Sequence, residues 1–148
     1  MKLESHFGIP VAAAVVSGRR GSGVSGDVEF YTREKGTLVV ARISGLPETE
    51  DGFLGFHIHE GNNCRGEGFA NTGGHYNPGE KPHPQHAGDL PPLLSSGGRA
   101  YLAVLTDRFT AEEVVGRTVV IHNRPDDFRT QPSGESGEKI ACGVIRKV

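Results

Sequence analysis

The chain has 148 residues, of which 35% are apolar and 23% charged, and its formal net charge is −2. That is enough chain for one domain, residues 1–148, with a real hydrophobic core, and without a basic block neither nucleic acid nor an anionic membrane is an evident partner. No run approaches the roughly 18 apolar residues of a membrane span, and 22 Gly and 9 Pro without a strict period exclude collagen and imply tight turns between short strands.

The first strand is predicted over residues 11–16. This run is too short for the apolar region of a signal peptide, and Met1-Lys2-Leu3-Glu4-Ser5 lacks a cationic start. The expected location is the cytoplasm, or a secreted, periplasmic or cell-surface one for a mature form whose leader has been removed. Residues 28–31 form a second strand, followed by a turn at Lys35-Gly36. Residues 37–44 are β-branched and alternating, and they form a third that stops at Gly45. A fourth covers 55–60. Residues 61–94 are polar and rich in Gly, Pro and Asn, so a long loop is expected there. A fifth strand follows at 100–106. Thr110-Ala111-Glu112-Glu113 matches a capping box, with Phe109 and Val114 as its hydrophobic staple and Gly116 limiting the helix to about one turn. The sixth strand is 118–122, a second long loop spans 123–138, and the seventh strand is 140–144. Seven short strands fit an antiparallel sandwich or barrel. The two cysteines, Cys64 and Cys142, allow one bridge or two buried thiols, and spacing does not choose between them.

Six of the seven histidines crowd between 57 and 122. His57-Ile58-His59 is a His-x-His pair on a strand, where alternate side chains share a face and both imidazoles point the same way. His122 ends another strand and offers a third nitrogen, and His75 in the long loop offers a fourth. Four imidazoles suit Cu(II). His83-Pro84-Gln85-His86-Ala87-Gly88-Asp89 supplies two nitrogens and a carboxylate which, with His75, make a tetrahedral set that zinc accepts. If His75 serves both sets, its ring bridges two metals. Taken singly, each histidine reads better as a surface or hydrogen-bonded group, and Asp89 has a rival reading as a turn residue after Gly88. The whole set, in this order, is chemically specific.

At this point the sequence resembles the copper-zinc superoxide dismutase family, in its bacterial-type branch. Gly55-Phe56-His57-Ile58-His59-Glu60 resembles the first copper motif, and Gly73-Gly74-His75-Tyr76-Asn77-Pro78 the bridging-histidine motif. His86-Ala87-Gly88-Asp89-Leu90 resembles the end of the zinc loop. Residues 115–122 resemble the strand with the last copper ligand, and 137–145 the C-terminal signature. The match runs from about Val11 to Ile145.

The resemblance implies an all-β fold: an eight-stranded antiparallel Greek-key β-barrel, an immunoglobulin-like sandwich with two long functional loops. It implies copper on His57, His59, His75 and His122, zinc on His75, His83, His86 and Asp89, and a Cys64–Cys142 disulfide. Asp126 matches a carboxylate that hydrogen-bonds ligands of both metals, against a rival reading as a solvated loop acid beside Asp127. The implied activity is dismutation of superoxide by copper cycling between Cu(II) and Cu(I), with His75 and its bridge taking part in proton transfer. Lys139 stands where most members place an arginine that docks the anion, and Ser133 where they place a channel threonine. Arg124 and Arg129 can add to the field or simply be solvated. The zinc loop is compressed, since His83 and His86 are three residues apart, and Pro84 stiffens that link. A homodimer is left open.

The alternative is a non-enzymatic relative that holds zinc or stores copper. A missing copper ligand would favour it, and none is missing. A structural or adhesion sandwich has no account of the ordered clusters. Gly18-Arg19-Arg20-Gly21-Ser22-Gly23 lies between strands and opens no helix, so it is not a nucleotide loop.

Overall fold

Ala12, Ala14 and Val16 are buried while Val15 is exposed, the two-residue period of a strand with one face on a core. This holds in the computed structural model, which describes residues 7–148. The strands are β1 (Ala12–Gly18), β2 (Ser25–Arg33), β3 (Gly36–Ser44), β4 (Phe53–Leu54), β5 (Phe56–His59), β6 (Leu93–Leu94), β7 (Ala100–Thr106), β8 (Thr118–His122) and β9 (Lys139–Lys147). Seven of them form one antiparallel sheet in the order β5-β8-β9-β1-β2-β3-β7. The crossings from β3 to β5 and from β7 to β8 give it Greek-key connectivity.

The sheet curls, and a short ribbon links its edges. β4 pairs with β6, runs into β5 through Gly55, and leaves β6 against β7. Counting β4 and β5 as one run broken at Gly55 gives the eight strands of the expected barrel. Val28, Phe30, Val39, Phe56, Ile58, Val119, Ile121 and Ile145 are among the side chains that fill its interior. Packing of this kind, scaled by buried apolar area, is the main stabilising term of such a domain.

Several details differ from the sequence reading: β2 runs from Ser25 to Arg33, and the two-residue strands β4 and β6 were not predicted. The hairpin between β2 and β3 turns on Glu34-Lys35, and Gly36 is already paired with Arg33. β9 extends to Lys147 because its far end pairs with β1. The capping box forms, with Thr110 N–H donating to Glu113 Oε1 (2.7 Å) and Glu113 N–H to Thr110 Oγ1 (3.1 Å). It closes hydrogen-bonded turns rather than a helix, because Phe109, Ala111 and Val114 are drawn into the barrel core and Gly116 donates to Ile145 O. The long loop also holds a 3-10 segment, Glu67–Thr72, that no periodicity announces. Residues 1–5 and His6 lie outside the described residues.

Candidate metal centre

β5 and β8 are buried along their whole length, because one face lies on the core and the other under the two long loops. Their register pairs Phe56 with Ile121, His57 with Val120, Ile58 with Val119 and His59 with Thr118. Phe56, Ile58, Val119 and Ile121 therefore face inward, and His57, His59 and, by alternation, His122 face the loops. The pairing of β8 with β9 shifts between Ile121 and His122, so that His122 meets Lys139. This irregularity sets Lys139 beside the end of the histidine face.

The first loop is stitched to the free edge of β5. Tyr76 N–H donates to Ile58 O (2.8 Å), Ile58 N–H to Gly88 O (2.9 Å) and Glu60 N–H to Gly74 O (2.9 Å). Gly88 is required by this approach, since a Cβ there would lie 2.3 Å from Ile58 O. The stitching sets His75 opposite His59 and Asp89 opposite His57. Thus the outward residues of β5 carry imidazoles, and the residue between them anchors the loop.

Two sets of side chains converge. Ligand-type atoms of His57, His59, His75 and His122 all lie within 4.8 Å of one another, as do those of His75, His83, His86 and Asp89. The ring tautomers follow from the partners on the far side of each ring. His59 Nδ1 lies 2.8 Å from Gly73 O and His122 Nδ1 3.3 Å from Gly137 O, and a carbonyl only accepts, so both Nδ1 atoms carry the proton. His57 Nε2 and His83 Nε2 each lie 2.8 Å from an oxygen of the Asp126 carboxylate, so both Nε2 atoms donate.

What remains on the inner side is a set of lone pairs. His59 Nε2 and His122 Nε2 face each other at 3.2 Å with no proton to share. His57 Nδ1, His75 Nε2 and His83 Nδ1 are buried without any hydrogen-bond partner. Buried acceptors left this way are costly, and a cation resolves both the orphaned atoms and the facing lone pairs. At the other end, His75 Nδ1 lies 2.8 Å from Asp89 Oδ1 and 3.1 Å from His86 Nδ1, and His83 Nδ1 lies 3.1 Å from Asp89 Oδ2. The residues fit two metal ions: one would be held by the nitrogen set and the other by the nitrogen-and-carboxylate set, with His75 a member of both.

Ionisation agrees with this donor chemistry. Burial pushes His57 down to about 4 and His122 down to about 3, and burial also holds His59 well below its ordinary value. Neutral imidazoles keep their lone pairs. Burial opposes ionisation of Asp126, but hydrogen bonds from His57, His83 and the Phe128 backbone outweigh it and hold the carboxyl well below the usual range. Asp89 is likewise lowered, its burial outweighed by the His75 hydrogen bond and the neighbouring imidazoles. Asp126 with His57 and His83 also forms a close trio; its contacts are N–H···O hydrogen bonds, so its role is orientation. Gly134 permits it, since a Cβ there would lie 2.0 Å from Asp126 Oδ1.

Lys139 Nζ donates to Thr72 Oγ1 (2.8 Å) and Gly73 O (3.0 Å), and burial draws the ammonium down from the usual lysine range. It lines an open depression with Arg19, Glu67, Gly68, Gly137 and Glu138. Ser133 is not among the converging residues; its carbonyl accepts Ser136 Oγ–H at 2.9 Å. Arg124 and Arg129 are exposed. Cys64 and Cys142 form a disulfide across 78 residues. The backbone carbonyls of Gly73 and Gly137 were not foreseen as tautomer-setting groups, and only the glycine-rich loops around them hinted at close backbone approach.

A Greek-key barrel that presents two converging donor sets with one imidazole in common has the side chains to hold two metal ions. The copper/zinc superoxide dismutase (SODC) family profile matches residues 24–145. The chain is 36% identical to superoxide dismutase [Cu-Zn] 2 of Aquifex aeolicus over 138 residues, 83% of this chain and 80% of that one. It is 34% identical to superoxide dismutase [Cu-Zn] of Deinococcus radiodurans over 165 residues, 97% and 88% of the two chains. A crystal structure of an SOD-like protein from Bacillus subtilis superposes with a TM-score of 0.78 at 30% identity, covering 89% of this chain and 96% of that one. The chain belongs to the copper/zinc superoxide dismutase family.

Proposed function

We propose that the chain dismutes superoxide, holding copper through His57, His59, His75 and His122 and zinc through His75, His83, His86 and Asp89. Two superoxide anions and two protons give one dioxygen and one hydrogen peroxide. Bound copper supplies the one-electron Cu(II)/Cu(I) couple, while bound zinc does no redox chemistry.

His75 carries this reading. Its Nδ1 is committed to Asp89 and His86, while its Nε2 is buried with no partner among the facing imidazoles. At the copper end, His57, His59 and His122 each have the far nitrogen fixed by an oxygen acceptor. Nε2 of His75 is therefore the atom placed to take up a proton and return it to the reduced anion. Lys139 holds a positive charge at the mouth, which raises the arrival rate of a small anion, and its anchors on Thr72 and Gly73 fix where that charge sits. Ser133, in the loop between β8 and β9, is proposed to line the approach with its hydroxyl.

The non-enzymatic alternative is disfavoured because both donor sets are complete. The deciding measurement is superoxide consumption by copper- and zinc-loaded protein against the metal-free form. Copper-dependent removal is expected. Full copper occupancy without removal would leave a metal-binding relative only.

Two further parts of the reading concern the molecule's surroundings. The chain is proposed to be able to form a homodimer, which sedimentation would test. The disulfide supports an oxidising compartment over the cytoplasm, which fractionation would test. Among the described residues, no helix is long and apolar enough to cross a membrane.

A further inference from the structure

The short turn from His83 to His86 poses a mechanical problem. Two imidazoles three residues apart must both reach one ion, and only Pro84 and Gln85 lie between them. Such a turn has few internal contacts of its own, Gln85 N–H to Pro82 O (2.8 Å) and Asp89 N–H to His86 O (3.1 Å) among them. Two side chains from other parts of the chain grip its backbone.

The first is Gln131, in the loop between β8 and β9. Its Oε1 accepts from His83 N–H at 2.8 Å, and its Nε2 donates to His83 O at 2.8 Å. One carboxamide thus satisfies both backbone groups of a single residue, the pairing a neighbouring strand would otherwise make. The same Nε2 also donates to Arg129 O at 3.1 Å, which ties the amide to its own loop. The second is Arg108, in the segment between β7 and β8. Its guanidinium donates to Pro84 O at 2.7 Å and to His86 O at 3.2 Å, closing over the turn from the other flank. Each grip touches only backbone of the turn, so neither competes for the imidazole nitrogens.

We propose that Gln131 and Arg108 are positioning residues that hold the His83–His86 turn in its ligating shape before metal arrives. They fix backbone groups of a turn that, with only two residues between its imidazoles, has few contacts of its own. The proposal rests on the reading that His75, His83, His86 and Asp89 hold zinc. Removing an outer partner of a metal ligand typically lowers metal affinity 10- to 100-fold, and preorganisation acts by lowering the ordering cost of binding.

The test is zinc affinity of the full chain, measured by competition with a chromophoric chelator, with copper affinity measured on the same samples. Gln131→Ala and Arg108→Ala are each expected to weaken zinc about 10-fold and to change copper affinity less than about 2-fold. Gln131→Glu keeps the acceptor but loses the donor, and Arg108→Lys keeps the charge but must reach both carbonyls with an ammonium in place of the one guanidinium nitrogen, Nη1, that makes both bonds, so each should fall between its parent and its alanine variant. The electronic spectrum of cobalt(II) bound in the zinc set should broaden in the alanine variants. Zinc affinity within 2-fold of the parent in both alanine variants overturns the proposal, as does an equal loss of zinc and copper. A parent chain that takes up no zinc sinks the metal assignment and the clamp together, whereas normal parental uptake with unaltered variants sinks the clamp alone.

Discussion

Asp126 directs its two carboxylate oxygens at imidazoles from different donor sets, His57 and His83, each at 2.8 Å. Both imidazoles donate, so an amide in its place can satisfy only one of them. Asp126→Asn should therefore turn one ring out of its tautomer and weaken metal binding 10- to 100-fold, as chelator competition would report; unchanged affinity for both metals would refute the orienting role. At Lys139 the expected direction is opposite. Arginine there keeps the charge and adds a planar fork, so Lys139→Arg should preserve or raise kcat/KM, while Lys139→Ala should lower it about 10-fold and flatten its dependence on salt. Rates measured across ionic strength check both. The shared face of His57 and His59 was readable because strand alternation is a purely local rule. Asp126 and its neighbour Asp127 were not separable that way. One turns inward to the imidazoles while the other accepts backbone N–H groups of Arg129 and Thr130, and only the folded loop decides which. Gln131 and Arg108 left no signal at all, because their partners are backbone atoms 48 and 22 to 24 residues away.

Among the elements, the longer strands were legible, and the two long loops were legible as loops but not in their conformation. β-Branched alternation marks β3 and β8 plainly, whereas the two-residue strands β4 and β6 are too short to carry a period. The capping box was readable as a local hydrogen-bond pattern, yet the burial of Ala111 and Val114 decided that it closes turns instead of a helix. The long loops gain their order from outside themselves. One means is the edge of β5, and another is the Cys64–Cys142 disulfide, which ties the first loop to β9. On chain-entropy grounds a bridge across 78 residues is worth up to about 4.5 kcal/mol. Replacing both cysteines by serine should lower the denaturant midpoint accordingly, and loosen Thr72 and Gly73, the anchors of Lys139 in the same loop. A midpoint equal to that of the parent would show that the loop is held by its other contacts alone.

At the scale of the molecule, the histidine cluster makes the metal-free fold sensitive to acid. His57 titrates near 4 and His122 near 3 when folded, chiefly because of burial, against about 6.5 when exposed in the unfolded chain. Between those values the unfolded chain binds more protons than the folded one. Stability is thus fully present above about pH 6.5 and is lost as pH falls toward 4 and below, by an amount on the order of a few kcal/mol. Urea titrations of the metal-free protein at pH 7 and pH 4.5 should show a clear drop in midpoint, and equal midpoints would contradict it. His75 and Asp126 are shared between the two ends, which couples them. Whatever factor occupation of one end multiplies the affinity of the other must be returned unchanged in the opposite direction. The two ions are then partners in a single linked equilibrium, and titrations begun from either end must close the same thermodynamic square.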